Sequence, residues 1–397
     1  MSSDLAQSLK GLRVLDASRV LAGPYAGQIL ADLGAEVVKI EQPGSGDDTR
    51  AWGPPYLDDL SAYFMSCNRG KRSLTLDLKQ AAGRELWLKL VERSDIVLEN
   101  FRADSVRDLG MDAATMHQRN PRLIICSLSG FGRSGPDADR PGYDFVVQGM
   151  SGMMAATGPK AGPPSKFGVA IADITTGLYA AVAVLAALRG RAQSGHGYAI
   201  ELALIDCAVA SMANVGQSFL TTGKVPARQG NAHAQIVPYE AFATSNGWLV
   251  LAVGNDAQWR RFCKVAGHDD IAVDARFATN ESRVRHREVL IPQVGSWLKQ
   301  RSTEQWIHDL TAAKVPCGPI WDLATLMHSD LAASRRFKIK AKRPDGSDVD
   351  LLRSPLVADP GVLRAPPSLG ADNEQILGDW LGLDAQAVAK LAADGVI

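Results

Sequence analysis

A surplus of charge of either sign is what this chain lacks: 43 Lys and Arg offset 43 Asp and Glu across 397 residues. A general nucleic-acid surface or a patch for anionic membranes needs a basic excess, so neither partner is expected. Cysteine is sparse. Cys67, Cys126, Cys207, Cys263 and Cys317 form an odd, scattered set without a CxxC pair, which argues against a disulfide framework or a zinc knuckle and fits a reducing cytoplasm. No metal site and no permanently bound cofactor are expected. The start carries no basic-then-apolar leader. The longest apolar stretch, Leu178 to Leu188, is Ala-rich, too short to span a bilayer, and reads as part of a buried helix. Fixed-period repeats and low-complexity segments are also missing.

What is present is an alternation of short β-branched runs with helical periods. Strand patterns occur at Leu12–Asp16, Glu36–Glu41, Ser73–Leu78, Asp95–Asn100 and Leu123–Gly130, with helical segments through "GPYAGQILADLG" and near Gln80–Arg93. Such alternation predicts right-handed crossovers and a mostly parallel sheet covered on both faces. The expected fold is α/β, a Rossmann-like large domain with a smaller α/β domain. "WLVLAVGN" (Trp248–Asn255) opens a second strand–helix unit. The divisions predicted are residues 1–222 for the first part of the large domain, 223–319 for the small domain, and 320–397 for a return to the large one.

This order invites a dinucleotide-binding reading, and Glu41 stands where an acid would hold a ribose. The first strand-to-helix turn nevertheless reads "SRVLAGPYAG", with Gly23 and Gly27 but without GxGxxG, and GxxxxGK[ST] occurs nowhere. The close pyrophosphate approach of a dinucleotide fold depends on those glycines.

Asp173 is the only charged side chain in "FGVAIADITTGLYAAVAVLAAL", Phe167–Leu188. One reading is a helix cap or an acid favoured by the helix dipole. The other is a nucleophile held on a rigid helix start among small apolar neighbours. Local pattern does not decide between them.

Taken together, "GLRVLDASRVLAGPYAGQILADLGAEVVKIEQPGSGDDTR", "NRGKRSLTLDL", "DIVLENFR", "SGFGRSGPDADRPGYD", "ADITTG" and "APPSLGADNEQIL" resemble the class III CoA-transferases, the family of formyl-CoA and carnitine CoA-transferases. The likeness spans nearly the whole chain in order. It implies that Asp173 is a catalytic nucleophile that forms an aspartyl anhydride and then an aspartyl-CoA thioester, with backbone N–H groups at the helix start as oxyanion donors. It implies that an acyl-CoA, a substrate rather than a resident cofactor, is bound by Leu21, Ala22, Asn68, Arg69, Gly70, Lys71, Arg72, Asn100, Phe101, Arg102, Tyr143 and Asp144. It also implies an interlocked homodimer. Taken alone, "NRGKR" reads as a solvated turn and Phe101 as core. Gln42 and Asp108 stand where the family carries arginines at the nucleotide, with Arg107 one place before, and the glycine-rich loop of formyl-CoA transferase has no counterpart.

Within this family α-methylacyl-CoA racemases carry a His in a "GHD" motif, whereas this chain reads "GYD" with Tyr143 and Asp144. A phenol, with an ordinary pKa of about 10, is a poor general base at neutral pH. Transfer is therefore favoured over racemisation, and a non-catalytic CoA-binding protein is the remaining alternative. "GDDTRAWGPPY" and "GNAHAQIVPYEAF" look most like the branch that moves CoA from succinyl-CoA to glutarate. A second carboxylate on the acyl group would need a cation or polar clamp, for which Arg50 and His233 are the candidates.

Overall fold

A computed structural model describes residues 5–357, 361 and 363–397. The chain forms two compact units. One comprises residues up to Met153, Phe167–Gly223 and Arg335–Ile397; the other comprises Met154–Lys166 and Lys224–Ser334.

The first unit is built on six strands: β1 (Arg13–Asp16), β2 (Glu36–Glu41), β3 (Lys71–Thr75), β4 (Ile96–Glu99), β5 (Ile124–Ser129) and β6 (Tyr198–Ala203). They are ordered β3-β2-β1-β4-β5-β6 and every pairing is parallel. Consecutive residues serve opposite faces, which is why these strands read as unbroken apolar runs. Val14, Val37, Ile96 and Ile124 enter one core, with residues of α1 (Ala22–Asp32) and, later in the chain, of the long helix Ile171–Ser194. Leu15, Val38, Val97 and Ile125 enter the other, with α2 (Ala81–Val91) and the C-terminal helix side chains Ile376, Leu377, Trp380 and Val388. Strand order reverses between β1 and β4, so a crevice opens at their carboxyl ends.

β3 begins two residues before the expected Ser73 and ends at Thr75. Lys71 looked like part of a turn, yet it is a fully buried strand residue. Its Nζ donates to Asp16 Oδ2 (2.7 Å), the Pro24 carbonyl (2.8 Å) and Asn68 Oδ1 (2.8 Å). Lys39 in β2 is equally buried, with Nζ 2.8 Å from Asp47 Oδ2 and 3.0 Å from the Ser18 carbonyl. Burial opposes ionisation of Asp16, but the Lys71 and Lys39 charges outweigh it and hold the carboxyl below its ordinary value.

In the second unit, β7 (Tyr239–Ala243), β8 (Trp248–Ala252) and β9 (Cys317–Pro319) form an antiparallel sheet ordered β9-β8-β7. It has its own core around Trp259, Phe262, Trp297 and Trp306. Two differences from the expected divisions appear. The unit runs on to Ser334 rather than ending at Pro319, and it includes 154–166. That early segment is tied in by long-range bonds: Arg228 donates to the Pro159 and Gly162 carbonyls, and Lys160 pairs with Glu288. From Arg335 the chain rejoins the first unit, adding a three-stranded sheet of β10 (Lys338–Lys342), β11 (Asp348–Leu352) and β12 (Leu363–Arg364).

The stretch Leu178–Leu188, expected to be part of a buried helix, lies within the helix Ile171–Ser194, which is only partly buried. That helix has 24 residues and is long and apolar enough to cross a membrane by length and composition, but Ala180, Ala181, Val184 and Ala187 pack into the sheet core. Its opposite side leaves Leu178, Tyr179, Val182 and Leu185 exposed.

The Lys39–Asp47 pair should matter to stability in a measurable way. Burial raises the Asp47 carboxyl, but Lys39 and the Thr49 N–H and hydroxyl outweigh it and pull the group from its ordinary 3.8 to about 2. The native state thus holds the proton less tightly, so this contribution is complete above the unfolded value and is lost as pH falls through about 2. Lys39→Met, which strands a buried carboxylate, should cost about 3–5 kcal/mol in urea unfolding at neutral pH.

Candidate active site

The turn after β1 is the floor of the crevice. Val20 has φ 73°, the left-handed region, which is costly for a β-branched residue. Its N–H points between both Asp47 carboxylate oxygens at 3.3 Å. The neighbouring Arg19 backbone is clasped by Asn100, whose Oδ1 accepts the Arg19 N–H (2.9 Å) while Nδ2 donates to the Arg19 carbonyl (2.8 Å). The buried charges behind the sheet therefore hold this turn open, with Lys39 anchoring Asp47 and the Ser18 carbonyl together.

Above the floor lies a cleft of about 250 Å³, lined among others by Arg19, Leu21, Ala22, Phe101, Arg102 and Asp173. Tyr143, Ser129, Gly130, Arg133 and Arg140 complete its far side. Gly130 and Gly142 bring β5 and the chain before Tyr143 together. A Cβ on either would stand about 2.5 Å from the other's Cα, at 2.5 and 2.4 Å respectively. No histidine lines this cleft among the described residues.

Asp173 occupies the first turn of the helix Ile171–Ser194, and Gly177, one turn on, lies on the same face. A Cβ at Gly177 would meet the Ala22 carbonyl at 2.7 Å, so the bare backbone lets the helix settle against the start of α1 and sets Asp173 over Leu21 and Ala22. The residue before the helix is Ala170, which offers no side-chain cap. Capping comes from another helix, α3 (Asp144–Met150): Asp144 Oδ1 accepts the Ala172 N–H at 2.8 Å. The expectation of free oxyanion donors at this helix start is thus corrected for two groups, since the Ile171 N–H is also engaged, by the Val169 carbonyl. The long helix is α4 hereafter.

Burial, and then the Asp144 charge, push the Asp173 carboxyl from 3.8 up to about 7. Tyr63 also faces this acid: burial first, then the Asp173 charge, drive its hydroxyl strongly upward. Its ring packs edge-on against Trp52 with centroids 5.1 Å apart. Neither aromatic was singled out from sequence, although Trp52 lies inside "GDDTRAWGPPY". Arg19, Arg133 and Arg140 were likewise missed as cleft cations. Arg133 is paired with Glu99 (2.6 Å) and Arg140 loosely with Asp137 (3.4 Å).

Of the expected ligand contacts, Leu21, Ala22, Asn100, Phe101, Arg102 and Tyr143 line the cleft with Asp173. The others do not. Asp144 spends its carboxylate on Ala172 and Gln148. Asn68 and Lys71 are fully buried and bond each other. Arg69 pairs with Asp32 and donates to the Leu352 carbonyl. Arg72 pairs with Glu36 and Asp379, and Gly70 sits between them at φ 77°. The "NRGKR" segment is not the solvated turn that its charges suggested, because partners distant in sequence bond them: Asp32 for Arg69, Asp16 for Lys71, and Glu36 with Asp379 for Arg72.

Arg50 is corrected in the same way. Both its forks bond Glu41 at 2.8 Å, Nη2 also donates to the Pro367 carbonyl, and its guanidinium lies 3.8 Å over the Phe64 ring. Glu41 receives Asp47 N–H and Ser73 Oγ as well, so it has no capacity left for a ribose. His233 belongs to the second unit, where its Nδ1 accepts the Gln235 N–H and its ring tilts against Tyr239.

A second cavity of about 330 Å³ shares Arg19 and Phe101 with the first. Ile40, Leu76, Leu78 and Leu109 give it apolar walls, with Gln42 and Lys79 at polar positions. Asp108 is not among its lining residues. Among the described residues no cluster of three or more His, Cys, Asp or Glu suits a metal ion.

Comparison with known proteins bears on this geometry. The family model of CoA-transferase family III matches residues 9–373. The succinate–glutarate CoA-transferase of Agrobacterium fabrum is 43% identical over 387 residues, covering 94% of this chain and 95% of that protein. The human succinyl-CoA:glutarate CoA-transferase is 34% identical over 398 residues, covering 98% and 90%. A crystal structure of a CAIB/BAIF family protein from Brucella suis superposes with a TM-score of 0.82 at 41% identity, over 94% of this chain and 99% of that one. With the family matched along most of its length, the chain is an enzyme of CoA-transferase family III.

Proposed function

We propose that the chain transfers CoA between succinyl-CoA and a short dicarboxylic acid such as glutarate, with Asp173 as covalent nucleophile. The observation that carries this reading is a buried carboxyl, poised near neutrality, at the end of a cleft lined by cations and apolar side chains. The ionised Asp173 attacks the thioester carbonyl and CoA leaves as thiolate, giving a mixed anhydride. The thiolate then attacks the aspartyl carbonyl, releasing succinate and leaving an aspartyl-CoA thioester. The acceptor carboxylate attacks that thioester and frees the thiolate, which attacks the acceptor's own carbonyl to yield the new acyl-CoA and restore Asp173. One thioester replaces another, so no outside energy source is required.

Arg19, Arg102 and Arg140 supply charge for the CoA phosphates, and the second cavity offers the adenine an apolar slot between Ile40, Leu76 and Leu109. Tyr63, whose ring packs on Trp52, stands near enough to Asp173 to feel its charge and is the candidate aromatic at the acyl end. The dicarboxylate part of the proposal is supported by the names of the relatives from Agrobacterium fabrum and human. Racemisation is disfavoured because, among the described residues, no histidine base lines the cleft. Five free cysteines, four of them buried, support a reducing cytoplasmic setting. A second copy of the chain is the proposed cover for Leu178, Tyr179, Val182 and Leu185 on α4.

Asp173→Asn should lower transfer by at least about 10³-fold, as loss of a nucleophile does, with hydroxylamine trapping of the Asp173 peptide lost as well. The same variant should melt higher, most clearly above pH 7. A carboxyl whose folded value is raised to about 7 destabilises the native state increasingly as pH rises from 3.8 through 7. In the unmodified enzyme the rate should rise with pH through about 7, and Asp144→Asn should move that limb toward acid.

With succinyl-CoA as donor, a panel of free acids should show glutarate accepting CoA much faster than a monocarboxylate of equal length. Equal rates would sink the dicarboxylate assignment. Arg50→Met should reduce transfer to both acids alike and lower the unfolding midpoint, because Arg50 serves Glu41. Light scattering on the purified protein should give twice the chain mass, and Val182→Asp should shift it toward one.

A further inference from the structure

Gln148 lies one turn after Asp144 on α3 and is 1% exposed. It is not among the residues lining the cleft. A leucine would fill such a place without the desolvation cost of an amide, so the bonds the amide makes are what distinguish it. Gln148 Nε2 donates to Asp144 Oδ2 at 2.7 Å, and its Oε1 accepts the Phe167 N–H at 2.8 Å. The other Asp144 oxygen accepts the Ala172 N–H. Two side chains of one short helix thus grip both ends of residues 167–172, the segment that leads into α4 and delivers Asp173.

We infer that Gln148 is a positioning residue for Asp173: its amide ties the Asp144 carboxylate to the Phe167–Ala172 segment and so fixes where the Asp173 carboxylate is held. The kinetic side of this inference rests on the reading of Asp173 as the nucleophile of CoA transfer; the geometric side does not. The role needs one group that donates to a carboxylate and accepts from an N–H at the same time. Glutamine does both, glutamic acid does both only while protonated, and leucine does neither.

The test compares Gln148→Leu and Gln148→Glu with the unmodified enzyme. In Gln148→Leu, kcat should fall about 10- to 100-fold while KM for both substrates stays within about twofold, the pattern of a misplaced reacting group. Gln148→Glu should recover part of that loss in acid and lose it again as pH rises, turning a rising pH profile into a bell. A substrate-free readout accompanies the kinetics: carbodiimide labelling of the Asp173 peptide followed across pH. The ionisable group acting on Asp173 is Asp144, while Tyr63 in turn feels the Asp173 charge. Without the Gln148 N–H dipole the field of the Asp144 carboxylate at Asp173 is less offset, so the labelling midpoint should move upward in Gln148→Leu. Unchanged kcat and unchanged profiles in both variants would overturn the inference, and so would a parallel fall in activity and melting temperature with the labelling midpoint fixed. If the unmodified enzyme moved CoA between no pair of acids, the functional reading would fail, and the labelling midpoint would still decide the positioning role.

Discussion

Two carboxylates share the start of α4, and water is largely kept from one of them. Asp144 earns a definite place because it satisfies the Ala172 N–H, an orphan donor of the first helical turn. Asp173 has no such compensation, and its charge stands against both burial and its neighbour. The fold tolerates this because α4 is fixed by other contacts. The bare Gly177 backbone lets it close on α1, and its alanines fill the sheet core. A helix held so firmly can carry an unfavourable buried carboxyl in its first turn, as functional sites commonly do at a cost in stability.

Beneath that helix start, a second set of charges does the opposite work. Asp16, Lys39, Asp47 and Lys71 are all buried, and each is paired and hydrogen-bonded. Such pairs add little net stability compared with apolar residues, but they fix direction. Lys39 joins Asp47 to the Ser18 carbonyl, and Asp47 receives the Val20 N–H, so the strained turn facing the cleft is set from behind. The cleft floor and Asp173 are therefore held by separate supports, the floor by buried ion pairs and Asp173 by a packed helix whose start Asp144 and Gln148 bond.

These supports also explain how much was legible beforehand. Five of the six parallel strands follow from local pattern: β-branched runs such as "RVLD" and "EVVKIE" separated by helical periods leave few topologies open. Asp173 stood out because it was a lone charge in an apolar stretch. Arg50, Arg69, Lys71 and Arg72 misled because a charge in sequence does not announce its partner. Asp32, Asp16 and Glu36 lie 37, 55 and 36 residues away from theirs, beyond any local rule. The joining of 154–166 to the second unit was hidden for the same reason. The outer side of α4 was misjudged because an alanine-rich helix shows too little amphipathic contrast to reveal that only one side is packed.

On the proposed chemistry, the position of Asp144 bears on both halves of the reaction. A carboxylate of ordinary basicity is a weak nucleophile, and a more basic one attacks better but is ionised less of the time. A value of about 7 leaves Asp173 substantially ionised at neutral pH while adding basicity over an ordinary aspartate. Acylation then converts that carboxylate into a neutral anhydride or thioester. The repulsion from Asp144 and the burial penalty both vanish in those intermediates, so the features that make the free carboxylate unfavourable favour its covalent forms. The same acid is thus raised in energy where it must react and relieved where it must wait for the second substrate.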